Sequence, residues 1–358
     1  MQSLARRFRV LTTLLVLAVL VAGCGDGNDA TETTEGAPAT TAPASTTADT
    51  QTPAEEEDET SETTADTAAD ELISVNAAYI PVSAAAALHL GVNEGFFEAE
   101  GLDVTLTEAE PPSMIPSVLS GDIDFAFLNA PAVMVARENG LAVQGVAAAS
   151  KNSLEPEDHF IQLVVNPDSG ISSPADLAGR TVAVDVLYQL PHLSLLNALR
   201  SEGVDTSSIE FTELPFPAMP EAVAAGDVDA VLAVEPFATL SEAQGGQILM
   251  SASEGQEPEL AQSVMLASEQ FISANTDVVD RFIRGMDNAM AFAEENPDTV
   301  RQVISEFTAI PPEMAAQIRL PAFRPGFDDE SWSQWMDVLV SEGLVSEDFD
   351  VEAAYYRP

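Results

Sequence analysis

The sequence predicts an α/β chain made of two similar lobes, each a doubly wound, mostly parallel sheet. Three observations predict it. Residues 107–131 recur at 212–236 with a constant offset of 105 and no gap, and nine of the 25 positions are identical. The runs inside the repeat are apolar throughout rather than alternating, as parallel strands covered on both faces are. Outside it, strand-like runs keep alternating with helical periodicities.

Each copy has the same local grammar. A strand ends at Thr107-Glu108 or Thr212-Glu213. A Pro-rich turn opens a short helix whose apolar face includes Met114 and Val118, or Met219 and Val223. Gly121 or Gly226 stops it, because a helix C-terminus favours a residue free to take positive φ. Asp122, Asp124, Asp227 and Asp229 then sit at a strand start and read as turn and capping residues. The strands expected over 123–128 and 228–234 run into Asn129-Ala130-Pro131 and Glu235-Pro236.

The remaining elements follow in order. Residues 72–79 read as a strand, 84–97 as a helix with Leu88, Val92 and Phe96 in phase, and 101–104 as a turn into the next strand. The second lobe repeats this with a strand over 181–186, a helix over 193–202 and a strand over 209–213. Strands over 143–149 and 160–165 end the first half, and 263–268 is the return crossing. Helices over 278–294, 298–307 and 331–342 pack back on the first lobe. The expected lobes are 72–165 with 264–358, and 166–263.

The N-terminal region reads as an address and a tether. Arg6, Arg7 and Arg9 precede an uncharged run to Gly23, a basic and then apolar pattern too short to span a membrane comfortably. Val21-Ala22-Gly23-Cys24 resembles a bacterial lipobox, which implies a signal peptide over 1–23 and lipid on Cys24, the sole cysteine. Residues 25–71 are Thr, Ala, Pro, Asp and Glu with almost no large apolar residue. Such a segment buries too little surface to offset its ordering entropy, so a disordered tether is expected.

The chain holds 59 acidic and 13 basic residues, a formal net charge of −46, and its single lysine is Lys151. That balance argues against nucleic acid, whose binding rests on cationic contacts to phosphate. His89, His159 and His192 are scattered, so no metal site of recognisable spacing is present and no cofactor is expected. No nucleophile elbow and no Gly-rich phosphate loop occur.

Two facing lobes make a cleft, and in open α/β sheets ligands sit at strand carboxyl ends. Six loops meet that description, and they nominate Tyr79, Pro81, Val82, Ser83, Ser113, Met114, Asn129, Ala130, Asp185, Tyr188, Gln189, Phe216 and Glu235. Ser83, Ser113 and Asn129 offer hydrogen bonds, Tyr79, Tyr188 and Phe216 offer walls, and N–H groups near Ser83 or Ser113 offer an anion site. Plain helix capping is the competing role for Ser83 and Ser113, and bracing a loop is the competing role for Glu235. No Lys or Arg falls in these loops, whereas Glu110, Asp185 and Glu235 do. A ligand with amino or ring N–H donors is therefore favoured over nitrate.

Several pieces occur in a telling order: Tyr79-Ile80-Pro81-Val82, the run from Gly95 to Val104, the run from Ser120 to Ala126, the run from Ser173 to Val184, and Val234-Glu235-Pro236-Phe237. Together they resemble the substrate-binding proteins of the nitrate/sulfonate/taurine group of ABC importers, a group with relatives that bind thiamine-pyrimidine precursors. The resemblance implies a type II periplasmic-binding-protein fold, two crossing strands as hinge, and closure over ligand, without fixing the substrate; the acidic loops favour a small organic solute, a zwitterionic sulfonate such as taurine or an aminopyrimidine. It also implies a non-enzymatic monomer at the extracytoplasmic face, attached by lipid alone and working with an ABC permease and ATPase. A pyrimidine-forming enzyme of the same fold and a lipid-anchored sensor are the alternatives.

Overall fold

The computed structural model describes residues 71–257, 260–308, 310–326 and 329–358. The expected signal peptide, Cys24 and all of the tether but its last residue lie outside the described residues.

The strands are β1 (Ile73–Tyr79), β2 (Leu102–Glu108), β3 (Phe125–Asn129), β4 (Val143–Lys151), β5 (Ile161–Val165), β6 (Thr181–Val184), β7 (Glu210–Glu213), β8 (Ala230–Val234), β9 (Gln247–Ser251) and β10 (Ala261–Ser268). The helices are α1 (Ala86–Asn93), α2 (Phe96–Ala99), α3 (Pro111–Ser120), α4 (Ala130–Glu138), α5 (Leu190–Ser201), α6 (Met219–Ala225), α7 (Phe237–Ala243), α8 (Glu269–Ala274), α9 (Thr276–Glu295), α10 (Pro297–Thr308), α11 (Pro312–Ala315) and α12 (Asp329–Ser341).

The strands form two sheets, ordered β2-β1-β3-β10-β4 and β7-β6-β8-β5-β9. β1 pairs parallel with β2 and β3, and β6 pairs parallel with β7 and β8. β10 and β5 run antiparallel to both their neighbours. Each sheet is thus mixed, and its reversed strand is the one that arrives from the other lobe. This moves the expected lobe boundaries. Residues 161–165, expected in lobe 1, pair with β8 and β9 in the second sheet, and 261–263, expected in lobe 2, begin β10 of the first. An apolar run shows that a strand exists but not which sheet it joins, and only pairing decides that. The two crossing segments lie side by side, with the Asn152 N–H donating to the Leu260 carbonyl at 2.9 Å.

The repeat survives in detail. Gly121 and Gly226 end α3 and α6 in the left-handed region, at φ 82° and 76°. The Asp124 carboxylate accepts the Asn76 N–H at 2.8 Å, and Asp229 accepts the Thr181 N–H at 2.9 Å. These aspartates staple the start of one strand to its parallel neighbour, at the end of each sheet opposite the cleft.

Other expectations shift. The helix expected over 84–97 is a 3-10 turn (Ser83–Ala85), then α1, then α2, because Gly95 at φ 74° breaks it. The strand expected to reach 186 stops at Val184 and frees Asp185 to leave the sheet. β9, an edge strand with only Met250 buried, was not foreseen. α9 and α10 pack on α1, while α12 packs on α4 and also reaches α5 of the second lobe.

Candidate functional site

A cavity of about 390 Å³ opens between the carboxyl ends of β1 and β2 and those of β6 and β7. Lobe 1 lines it with Ile80, Pro81, Glu108, Ala109, Glu110, Pro111 and Pro112. Lobe 2 lines it with Asp185, Val186, Glu213, Leu214, Pro215, Phe216, Pro217 and Phe237. Fourteen of these fifteen residues form pairs 105 apart, from Ile80/Asp185 to Pro112/Pro217, so the two copies of one β-turn-α unit face each other.

The chemistry of the wall is one-sided. Glu108, Glu110, Asp185 and Glu213 line it, with no Lys, Arg or His among the lining residues. Five lining residues are prolines, which carry no N–H, so the backbone here is also poor in donors. Glu108, Glu110 and Glu213 are exposed. Asp185 is half-buried, and its Oδ1 is sealed from solvent without a hydrogen-bond partner. Burial pushes the Asp185 carboxyl up to about 6, and the charge of Glu213 acts in the same direction. Hydrogen bonds from the N–H groups of Val186 and of Asp185 itself oppose the rise. The rings of Phe216 and Phe237 stack beside it at 5.9 Å and 10°.

The loop that carries Asp185 is held from several sides. Glu213 Oε1 accepts the Leu187 N–H at 2.9 Å. Tyr188 sits at φ 58°, and its N–H donates to His192 Nδ1 at 2.9 Å. Burial lowers His192 to about 4, so its ring is neutral near pH 7 and can accept that bond. Gln189 Oε1 accepts from Asn129 Nδ2 at 3.2 Å, a bond from lobe to lobe.

Of the thirteen nominated residues, Pro81, Asp185 and Phe216 line this cavity. Asn129 and Gln189 bridge the lobes beside it, and Asn129 also caps α4 by accepting the Ala132 N–H. The others have different surroundings. Tyr79 packs edge-on against His89, which stacks on Phe307 at 3.9 Å, so its ring belongs to lobe 1 packing rather than to a ligand wall. Val82, Met114 and Ala130 are buried core. Ser113 is exposed and its Oγ donates to the Glu110 carbonyl. Tyr188 is 46% exposed, outside the cavity.

Glu235 requires correction on physical grounds. Three of the N–H groups expected to hold an anion are already taken: Ser83 donates to the Glu235 carbonyl, Ala85 to Val82 and Ser113 to Glu110, while the buried Ser83 Oγ has no partner among the described residues. The Glu235 side chain is fully buried and accepts from the Thr239 N–H and Oγ1 and from Arg319 at 3.0 Å. Burial raises its pKa, while Thr239 and Arg319 oppose the rise. Glu235 therefore ties Arg319, from the segment after α11, to lobe 2, and Arg319 also pairs with Glu242 at 2.9 Å.

The six expected loops contain Glu110, Pro111, Pro112, Val186, Pro217 and Phe237, and sequence reasoning missed Ile80, Glu108, Ala109, Glu213, Leu214 and Pro215. The signal was available: Glu108/Glu213 and Pro112/Pro217 are identical pairs, and extending the offset of 105 backwards from Asp185 and Val186 reaches Ile80 and Pro81.

A family model described as NMT1/THI5 like matches residues 83–300. The chain belongs to the NMT1/THI5-like family. The formylaminopyrimidine-binding protein of Halalkalibacterium halodurans is 25% identical over 247 residues, 68% of this chain and 72% of the relative. The riboflavin-binding protein RibY of Chloroflexus aurantiacus is 23% identical across 98% of this chain and 97% of its own length. Among solved structures, the alkanesulfonate-binding protein SsuA of Xanthomonas axonopodis pv. citri, bound to MOPS, superposes with a TM-score of 0.69 at 18% identity. That match covers 80% of this chain and 99% of the other. This NMT1/THI5-like chain thus has the periplasmic-binding-protein fold, two α/β lobes joined by crossing strands. Among the described residues no helix is long and apolar enough to cross a membrane.

Proposed function

We propose that this chain is an extracytoplasmic solute receptor that holds an N–H-bearing organic ligand between its lobes and delivers it to the permease and ATPase of an ABC importer. The observation that carries the reading is the set of four carboxylates at the cavity wall, Glu108, Glu110, Asp185 and Glu213, with no cationic side chain among the lining residues. Carboxylates only accept hydrogen bonds when ionised, so a ligand amino or ring N–H suits them. The apolar faces of Val186, Leu214, Phe216 and Phe237 suit a flat ring. A sulfonate or nitrate would meet four carboxylates and donor-free prolines. The amino end of a taurine-like zwitterion suits Asp185, but its anionic end finds no cation among the lining residues. The formylaminopyrimidine-binding relative supports a pyrimidine-like ligand here.

The reading includes no catalysis, in keeping with the formylaminopyrimidine-binding and riboflavin-binding relatives. It also includes a monomer anchored through lipid on Cys24, which a Cys24→Ala chain released from membranes would support. The deciding experiment is thermal unfolding against aminopyrimidines, taurine, alkanesulfonates and nitrate. A ligand at a hundredfold excess over its Kd stabilises by about 2.7 kcal/mol. Aminopyrimidines alone should raise the Tm, and a shift with nitrate or alkanesulfonates instead would sink the reading.

A further inference from the structure

Beside the cleft lies a second hollow of about 500 Å³, walled by Ile115, Leu119, Leu128, Val135 and Leu141. No charged residue lines it, in a chain with 59 acidic residues. Leu119 and Leu141, each 38% exposed, form part of its wall. Pro111, Pro112 and Val186 line both hollows, so the groove continues the ligand cavity. Val186 and Gln189 come from lobe 2, so the groove, like the cleft, is completed only where the lobes meet.

The repeat explains why the groove exists. Pro111 and Ala132 stand where lobe 2, 105 residues on, has Phe216 and Phe237. In lobe 2 those two rings stack on each other and α6 packs on α7, whereas lobe 1 has no aromatic ring at either position. Apolar area that a ligand covers is gained only on binding, whereas area covered by the chain itself is gained on folding.

We propose that the ligand is bipartite. Its N–H-bearing head sits at Asp185, and an alkyl or aryl extension crosses Pro111, Pro112 and Val186 into the groove between α3 and α4. This rests on the reading of the head given above and adds the second half of the substrate class. In lobe 1 the extension takes the place that the Phe216–Phe237 pair holds in lobe 2.

The test uses the purified full chain and a series of 4-(alkylamino)pyrimidines from methyl to octyl, with Kd measured by calorimetry. Each buried methylene should tighten binding about fourfold. Ala132→Phe restores a ring to the groove, and Leu119→Glu places a charge at an exposed wall position where misfolding is not a concern. Both should flatten the series and leave the methyl member within about twofold. Asp185→Asn should weaken every member equally and keep the slope. A flat series in the unaltered chain, with the methyl member still bound, overturns the bipartite ligand and leaves the receptor reading standing. Length-dependent binding of n-alkanols, with no pyrimidine bound, keeps the groove and overturns the head. Binding of neither overturns both. A flat series with a concentration-dependent dimer that Leu119→Glu abolishes would give the groove to a second copy of the chain and overturn the proposal.

Discussion

Replacing Asp185 by Asn separates ligand binding from folding, because the carboxylate is costly to the fold and useful to the site. In the folded chain the Asp185 carboxyl titrates at about 6, against its ordinary 3.8. At about 1.36 kcal/mol per pKa unit, a shift of roughly two units means that the ionised carboxylate destabilises the folded state by about 3 kcal/mol near neutral pH. The sign follows from proton uptake: between the two values the folded state holds more protons than the unfolded one. The stability contribution is fully present below 3.8 and is lost as pH rises through about 6. Asn has nearly the same shape and no charge. Asp185→Asn should therefore stabilise the ligand-free chain by about 3 kcal/mol above pH ~7, and the gain should shrink towards nothing below pH ~4. Urea denaturation of both chains across that range reads the difference directly. A gain that does not vary with pH, or a loss at neutral pH, would refute the idea that a desolvated carboxylate is held at the cavity wall.

Four further outcomes follow from the same geometry. Affinity for an aminopyrimidine should fall about tenfold between pH 7 and pH 5, as the carboxyl that titrates at about 6 takes up its proton, and calorimetry with Asp185→Asn should show no such fall. Gln189→Ala removes the 3.2 Å lobe-to-lobe bond from Asn129 and should weaken ligand binding about fivefold, with small-angle scattering reporting a larger radius of gyration. Arg319→Met leaves the buried Glu235 carboxylate without its cation and should cost about 3 kcal/mol in urea denaturation, most of it recovered when Glu235→Gln is added. Asp124→Ala and Asp229→Ala each remove one staple and should each cost about 1.5 kcal/mol, adding in the double variant because they lie in different lobes.

The repeat made the fold legible. Its apolar strand runs, its Gly stops and its strand-start Asp residues occur twice, and a signal met twice at one offset outweighs the ambiguity of each alone. The site was legible only as loops. Asp185 and Phe216 stood out as a charge and a ring at strand exits, and both line the cavity. Glu235 looked equally suitable, but its carboxylate is consumed by Thr239 and by Arg319, a residue 84 positions from it. Side-chain type and loop position do not reveal whether a donor or acceptor is already spent, because that depends on partners brought in by the chain's return crossing. Tyr79 failed for a similar reason: its ring is claimed by His89 and by Phe307 of α10, far along the chain.

Away from the cleft the two copies agree and build the lobe, and most of their differences at the cavity shape the ligand. Gly121/Gly226 and Asp124/Asp229 are identical and lie away from the cleft, and each makes the same bond or turn in its own sheet. Around the cavity Glu108/Glu213 and Pro112/Pro217 are kept, but the other pairs diverge in kind: Ile80 corresponds to Asp185, Ala109 to Leu214, Glu110 to Pro215 and Pro111 to Phe216. A cleft with equal walls would accept a ligand in two orientations related by its pseudo-symmetry. Here one wall carries the sealed acceptor and the stacked rings, and the other carries the open groove, so only one orientation satisfies both. Contacts to both walls exist together only when the lobes meet, and that difference in contacts is what lets a ligand shift the population towards closure. The divergence between the copies thus sets both which ligand binds and which way it points, while their identity keeps the two lobes matched well enough to close on it.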